Sequence, residues 1–436
     1  MRIRDSLSGE LRELEAGPDG RIGIYVCGPT VYNRIHVGNA RPFVVFQLMK
    51  RYLEWRGLAV RLVENITDIN DKIYSAATAA GVPSDRLAAE MSQAYLDDTE
   101  RLGIGRPDEE PRATGTVPEI VSLIEELIAG GHAYEADGDV YFSVQSFDGY
   151  GKLSKQRTDQ LLEGARGEGE PGEHKRDPLD FALWKANKPD EDTWWESPWG
   201  RGRPGWHIEC SAMAERWLGT EFALHGGGRD LIFPHHENEI AQSQSGGRPF
   251  ARAWAHNGML RLSGEKMSKS LGNIDPLHAA LDRWGRETFL LFLLRGHYAA
   301  PIDYSDEALG QAAAAAETLR NRLRDGDGGD DPQLLEAVRE ALDEDFNTPR
   351  ALALLFDAPP SSSGAVREVL EVLGLGSLAV EAPAPAELEA KRVEREEARR
   401  DRDFARADAL RAEIEAAGWE VRDAAEGSAL YPRHGS

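Results

Sequence analysis

The apolar pattern changes period several times along the chain, and each change marks an element. Ile22 to Cys27 (IGIYVC) is a short apolar run that reads as a buried strand, and the Gly-Pro-Thr after it turns the chain. From Phe43 to Trp55 the apolar positions return at helical spacing, and 59–67 (AVRLVENIT) then reads as a second strand. Strand, helix, strand in that order implies parallel pairing through a right-handed crossover. Helical spacing recurs over 84–102 and 117–131, GDVYFSV (138–144) alternates as a strand, and EGARGEGEPGEH (163–174) is too polar and glycine-rich to pack. Sheet-and-helix character resumes with a helix at 205–219 (GWHIECSAMAERWLG), a strand at 222–228 (FALHGGG) and a helix at 234–244 (PHHENEIAQSQ). The sheet domain is therefore split by an insertion. From Ser305 to Leu375 the pattern is helical, with APPSSSG (358–364) and APAPAE (382–387) as breaks, the second a linker to a small terminal unit.

The expected architecture is α/β. Two halves of a parallel-sheet domain (1–119 and 201–258) flank an insertion (120–200), followed by a lysine-bearing loop region (259–304), a helical bundle (305–380) and a small C-terminal α/β unit (387–436).

Length and composition narrow the class. At 436 residues the chain can bury ordinary cores without staples, and its two cysteines, Cys27 and Cys210, are too few for a disulfide scaffold, which points to a reduced cytoplasm. The N-terminus lacks the apolar core of a signal peptide, and no run approaches the roughly 20 apolar residues that span a bilayer, so a soluble protein with no membrane partner is expected. A net charge of −24 argues against general affinity for nucleic acid, so any such contact needs a local basic patch.

Four residues suit a metal. Cys27 ends the first strand, Cys210 sits in a helix, and His235 and Glu239 stand four apart on one helical face. Two thiolates, an imidazole and a carboxylate favour zinc over a hard cation such as magnesium. The alternative is that the cysteines are small buried hydrophobes and the HHENE segment a polar helix start. A metallohydrolase fails on spacing, because His236-Glu237-Asn238-Glu239-Ile240 lacks the second histidine of H-E-x-x-H. Lys266 and Lys269, three apart in GEKMSKSLGN, could stabilise charge on a phosphoryl centre. His36 and Asn39 of HVGN would stand near a helix N-terminus, where backbone amides favour phosphate.

Taken together, YVCGPTVYNRIHVGNAR, ENITDINDK, DFALWK, GRPGWHIECSAMA, LHGGGRDLIFPHHENEIAQS, EKMSKSLGN and DEDFNTPRALALLFD resemble, in order, the cysteinyl-tRNA synthetase family of class I aminoacyl-tRNA synthetases. The resemblance implies a Rossmann-type catalytic domain that joins L-cysteine to tRNA(Cys) through cysteinyl adenylate, using ATP with Mg²⁺. It implies zinc on Cys27, Cys210, His235 and Glu239, with an open position for the substrate's sulfur, and ATP contacts from Lys269, Lys266, His36, Gly38, Asn39, Gly227 and Asp230. Trp206, Thr67 and His207 would touch the amino acid, with His207, His225, His236 and His256 orienting ligands or substrate. Serine differs from cysteine by one atom, which shape discriminates poorly and a metal–thiolate bond discriminates well, so no editing site is expected.

Three departures stand out: Asn39 replaces the last histidine of the family's signature, Thr116 stands where the family carries a histidine, and the break at 358–364 is short enough to imply a missing bundle helix. The arginines at 392, 395, 399, 402 and 406 form a helical stripe, with Val393, Phe404, Ala407 and Ile414 facing inward; Arg395, Arg399 and Arg402 are the candidate tRNA contacts, and a solvated ion-paired face is the alternative. A cytoplasmic monomer is expected. Two rival functions are a cysteine ligase acting on an amino sugar in mycothiol synthesis, which should not need the tail beyond 385, and a non-catalytic tRNA-binding paralogue.

Overall fold

A computed structural model describes residues 1–156, 174–262, 265–266, 275–324, 326, 328–380, 383–424 and 427–432. Four parallel strands form the central sheet, in the spatial order Ala251–Asn257, Phe222–Gly228, Ile22–Val26, Val60–Glu64. The first strand of the predicted strand–helix–strand unit thus sits inside the sheet, and the segments on either side of the insertion supply its two flanks. The crossover helix runs Val37–Trp55, six residues earlier than the periodicity indicated. Its start is set by a cap at His36, and it holds Pro42 within its second turn.

Alternation along the central strand decides what each face meets. Ile24 and Val26 belong to a core shared with the helix Val37–Trp55 and the helical bundle, whereas Tyr25 and Cys27 belong to a second core shared with the helix Trp206–Leu218 and the insertion. The chain therefore carries Cys27 to the face that the Cys210 helix covers.

Across and just beyond the expected insertion of 120–200 lie the helix Val117–Ala129 and an antiparallel sheet of Ala133–Ala136, Asp139–Phe142, Phe181–Ala186 and Gly202–Pro204. Of the glycine-rich stretch 163–174, all but His174 lies outside the described residues. The bundle comprises Asp306–Arg324, Pro332–Asp343, Thr348–Asp357 and Ser363–Val372; the last two are joined through the short turn Pro360–Ser362. Among the described residues no helix is long and apolar enough to cross a membrane.

The terminal unit packs the antiparallel helices Ala386–Arg400 and Phe404–Ala416 on the hairpin Trp419–Ala424 and Gly427–Pro432, around Leu388, Ile414, Val421 and Leu430. Ala407 and Ile414 face inward as expected, but Val393 is 43% and Phe404 61% exposed. The buried seam of the first helix runs through Leu388, Arg395 and Ala398, off the face that carries Val393, and Phe404 is the first residue of its helix, beyond the seam. Among the elements without a clear sequence signal are the N-terminal strands Arg2–Arg4 and Leu11–Glu13 and the alanine-rich helix Asp71–Ala80.

Candidate active site

Parallel strands end together, and ligands of such sheets bind beyond the carboxyl edge. The Cys27 amide continues the ladder past Val26 by donating to the Gly226 carbonyl at 3.2 Å, so the cysteine stands on that edge. Cys210 comes from the second turn of Trp206–Leu218. His235 and Glu239 arrive after the strand Phe222–Gly228; an extended Phe233 and a cis Phe233–Pro234 bond interrupt the helical path, and the regular helix begins at Glu237.

These four side chains converge. Their ligand atoms lie within 4.8 Å of one another, and every residue is buried. Cys27 Sγ is 3.4 Å from His235 Nε2 and 3.3 Å from Glu239 Oε1, and the last two atoms are 3.1 Å apart. The far sides are tied down as well: His207 Nδ1 meets His235 Nδ1 at 2.8 Å, leaving Nε2 toward the cluster, and His225 Nε2 meets Glu239 Oε2 at 2.8 Å, leaving Oε1. Trp206 lies over His235, ring centroids 4.2 Å apart. Burial pushes the Cys27 and Cys210 thiols up, His207 down to about 3 and His235 well below the ordinary imidazole value, so as bare side chains these groups resist charge. Such a donor set fits a borderline-soft divalent cation that compensates thiolate charge. Cys27, His225, His236 and Glu239 form a second, overlapping quartet within the same limit, which sequence spacing had not suggested.

Beside the cluster opens a cleft. Cys27, His36, Gly38, Asn39 and Asp230 line it, so five predicted residues share one wall-to-wall space. His36 caps the helix: its Nδ1 accepts from the Gly38 and Asn39 amides at 3.1 and 3.3 Å, while Asn39 Oδ1 accepts from the His36 amide at 3.4 Å. Accepting at Nδ1 puts the ring proton on Nε2. No acidic residue sits in the first helical turn to offset its positive dipole end. Gly28, also on the wall, has no space for a side chain, since a Cβ would lie 1.8 Å from the Asn65 carbonyl oxygen.

Two predicted contacts stand behind that wall instead. Thr67 is buried and accepts from Asn65 Nδ2 at 3.1 Å, and Gly227 packs against the His236 ring. Asn65 joins the two halves of the site: its Oδ1 accepts from the Gly28 amide at 3.0 Å and from Cys210 Sγ at 3.6 Å. Sequence reasoning missed it, as it missed Glu64, whose buried carboxyl lines the cleft, accepts from Tyr95 Oη at 2.7 Å and is pushed up to about 8 by burial. The only signal was two polar residues ending an apolar strand. Thr116 is buried and bonds the Arg112 carbonyl at 3.0 Å.

Lys269 lies outside the described residues, as does the Lys266 side chain; the Glu265–Lys266 backbone pairs antiparallel with Leu260–Leu262. In the terminal unit Arg395 is 4% exposed, its guanidinium on both oxygens of Asp423 at 2.8 and 3.1 Å, and Arg399 meets Asp423 at 2.5 Å. Arg402 is exposed in the turn between the helices, with φ +62°.

A family profile described as "tRNA synthetases class I (C) catalytic domain" matches residues 13–314, and a DALR-domain profile matches 337–359. The cysteine–tRNA ligase of Rubrobacter xylanophilus is 45% identical over 474 aligned positions, covering 99% of this chain and 100% of that protein. That of Halorhodospira halophila is 46% identical, covering 98% of each. The chain belongs to the cysteine–tRNA ligase family of class I tRNA synthetases. Solved members of the class share the fold: Mycobacterium tuberculosis methionyl-tRNA synthetase with methionyl-adenylate superposes with a TM-score of 0.58 at 20% identity, over 82% of this chain and 88% of that one. Agrobacterium radiobacter leucyl-tRNA synthetase gives 0.57 at 13% identity, over 84% and 85%. The DALR match falls on Pro332–Asp343 and Thr348–Asp357 of the bundle, outside the sheet domain.

Proposed function

We propose that this enzyme, an aminoacyl-tRNA synthetase, activates L-cysteine with ATP and Mg²⁺ and passes it to tRNA(Cys), choosing its substrate by the sulfur atom. One observation carries the reading: two buried thiols, an imidazole and a carboxylate converge at the sheet edge, and one of them, Cys27, also lines the cleft that holds the capped start of the helix Val37–Trp55, where the dipole favours phosphate. In the first step the cysteine carboxylate attacks the α-phosphorus of ATP; the new C(O)–O–P bond forms as the bond to pyrophosphate breaks. The Gly38 and Asn39 end of the helix, whose amides are taken up by the cap, offers the positive end of its dipole, and the His36 Nε2 proton a donor, for the charge that develops. In the second step a ribose hydroxyl of the tRNA's terminal adenosine attacks the acyl carbon, and AMP leaves. Cys27, Cys210, His235 and Glu239 would hold a zinc ion, which supplies a Lewis acid for the substrate thiolate that a serine hydroxyl cannot match. This quartet is favoured over the overlapping one because it uses both thiols. Lys266 and Lys269 are proposed to approach the phosphates, and Arg399 and Arg402 the tRNA; Arg395 is already held by Asp423. Thiol ligands that must stay reduced support a cytoplasmic setting.

The test is charging of purified tRNA with labelled cysteine and, separately, serine, before and after chelation and with zinc restored. Cysteine charging lost on chelation and regained with zinc, and negligible serine charging throughout, is expected. Metal-independent cysteine charging, or rapid hydrolysis of supplied seryl-tRNA, would overturn the sulfur-selection reading.

A further inference from the structure

Two residues past Asn39, the same helix buries a cation. Arg41 is 1% exposed, and among the described residues no carboxylate lies within ion-pair distance of it. Its partners are backbone carbonyls: Nη1 donates to Gly258 at 2.6 Å and Met259 at 3.3 Å, and Nη2 to His297 at 3.2 Å, Tyr298 at 3.0 Å and Ala300 at 2.7 Å. Burial lowers its pKa to about 10, which leaves it charged at neutral pH. Desolvating a guanidinium with no counter-ion is costly, and five carbonyl dipoles offset that cost only if they stay where they are.

Those carbonyls belong to two loops that meet. The first leaves the sheet at Asn257 and leads into Leu260–Leu262; the second precedes Ile302–Tyr304, its parallel partner. The Gly258 amide donates to Tyr298 at 2.8 Å, the Ile302 amide donates to Met259 at 3.1 Å, and a Cβ on Gly258 would strike the Ala300 carbonyl at 2.2 Å. Gly258, Met259 and Leu260 are also a wall of the cleft, facing the space shared with Gly38 and Asn39 of the Arg41 helix.

We propose that Arg41 is a positioning residue for the nucleotide: by clamping the Gly258–Leu260 wall to its own helix, it sets the width of the cleft at the ATP end while leaving the cysteine end to the metal ligands. This rests on the reading that ATP occupies the cleft. Lysine keeps the charge but offers one compact ammonium with three donors, which cannot serve both loops as the planar fork does.

The experiment is cysteine-dependent ATP–pyrophosphate exchange with full-length Arg41→Lys and Gly258→Ala enzymes. Misplacing one wall should raise KM for ATP roughly 10- to 100-fold in each, with KM for cysteine within about twofold of wild type. A purely structural role would lower Tm and the active fraction and leave both KM values alone, and that result overturns the proposal, as does an equal rise in the two. If a variant fails to fold, wild-type enzyme decides: ATP alone should increase hydrogen-exchange protection across Gly258–Leu260 and Ala300–Ile302, and unchanged protection there counts against it. Wild-type enzyme without any cysteine-dependent exchange would instead refute the functional reading itself.

Discussion

The sheet edge and the terminal unit each gather ionisable side chains, with opposite consequences. At the edge, Cys27, Cys210, His235 and Glu239 come from three separate elements and are at most 6% exposed. In the terminal unit, Arg392 pairs with Glu389 and Glu396, Arg395 and Arg399 share Asp423, and Arg406 meets Glu394, most of these groups reaching water. The second cluster satisfies itself, and water screens its exposed pairs. In the first, burial opposes ionising either thiol, a cost that a bound cation would offset. A binding site and a solvated face can thus share the same residue types and differ only in access to water.

Removing a donor from the buried cluster should break the contrast most severely. Cys27→Ser or Cys210→Ser is expected to abolish bound zinc and lower cysteine-dependent pyrophosphate exchange by more than about 100-fold, the upper range for losing a residue that merely supports a ligand. Metal analysis and exchange on the same sample check it; full zinc occupancy in both variants would remove the quartet from consideration. His207→Ala and His225→Ala sharpen the point, since each deletes a hydrogen bond behind a ligand. A roughly 10- to 100-fold loss in zinc affinity, with the fold retained, is the expected outcome in a chelator competition.

Glu64→Gln comes next. The folded carboxyl titrates near pH 8, above its ordinary value, so the native state prefers it protonated and loses stability as pH rises between about 4.5 and 8. The glutamine enzyme should match wild type near pH 4.5 and exceed its Tm increasingly toward pH 8; parallel Tm profiles would contradict this. The smallest effect belongs to the terminal unit. Asp423 is held down to about 2 by Arg395 and Arg399, a depressed acid whose stabilisation is complete above the ordinary carboxylate range and fades only as pH falls from about 4 toward 2. Arg395→Met should therefore loosen the hairpin locally at neutral pH, seen as faster amide exchange over 419–424, and leave pyrophosphate exchange at the wild-type rate. A matching fall in exchange activity would show that the two regions are not independent.

How far the sequence could be read followed how local each signal was. The strand at 22–27, its crossover helix and the split of the sheet domain were legible because apolar period reports backbone geometry over a few residues. His36 and Asn39 were placed at a helix start, and the structure adds that they cap each other. Cys27 and Cys210 were paired as candidates by chemistry, 183 positions apart. What brings them together is strand alternation, which turns Tyr25 and Cys27 toward one helix and Ile24 and Val26 toward another core. The arginine stripe shows the limit: its spacing was visible, but whether Arg395 faced water or Asp423 depended on a hairpin 28 residues away.

By itself, then, the sequence determined the order of elements, the donor types and the family likeness, all properties of short stretches. Only the tertiary structure decided that Asn65 bridges the cleft to Cys210, that a second histidine pair stands within reach of Cys27 and Glu239, and that Arg41 holds two distant loops. The physical reason is that hydrogen bonding and desolvation act through space over a few ångströms, and residues far apart along the chain become neighbours only once the sheet has formed.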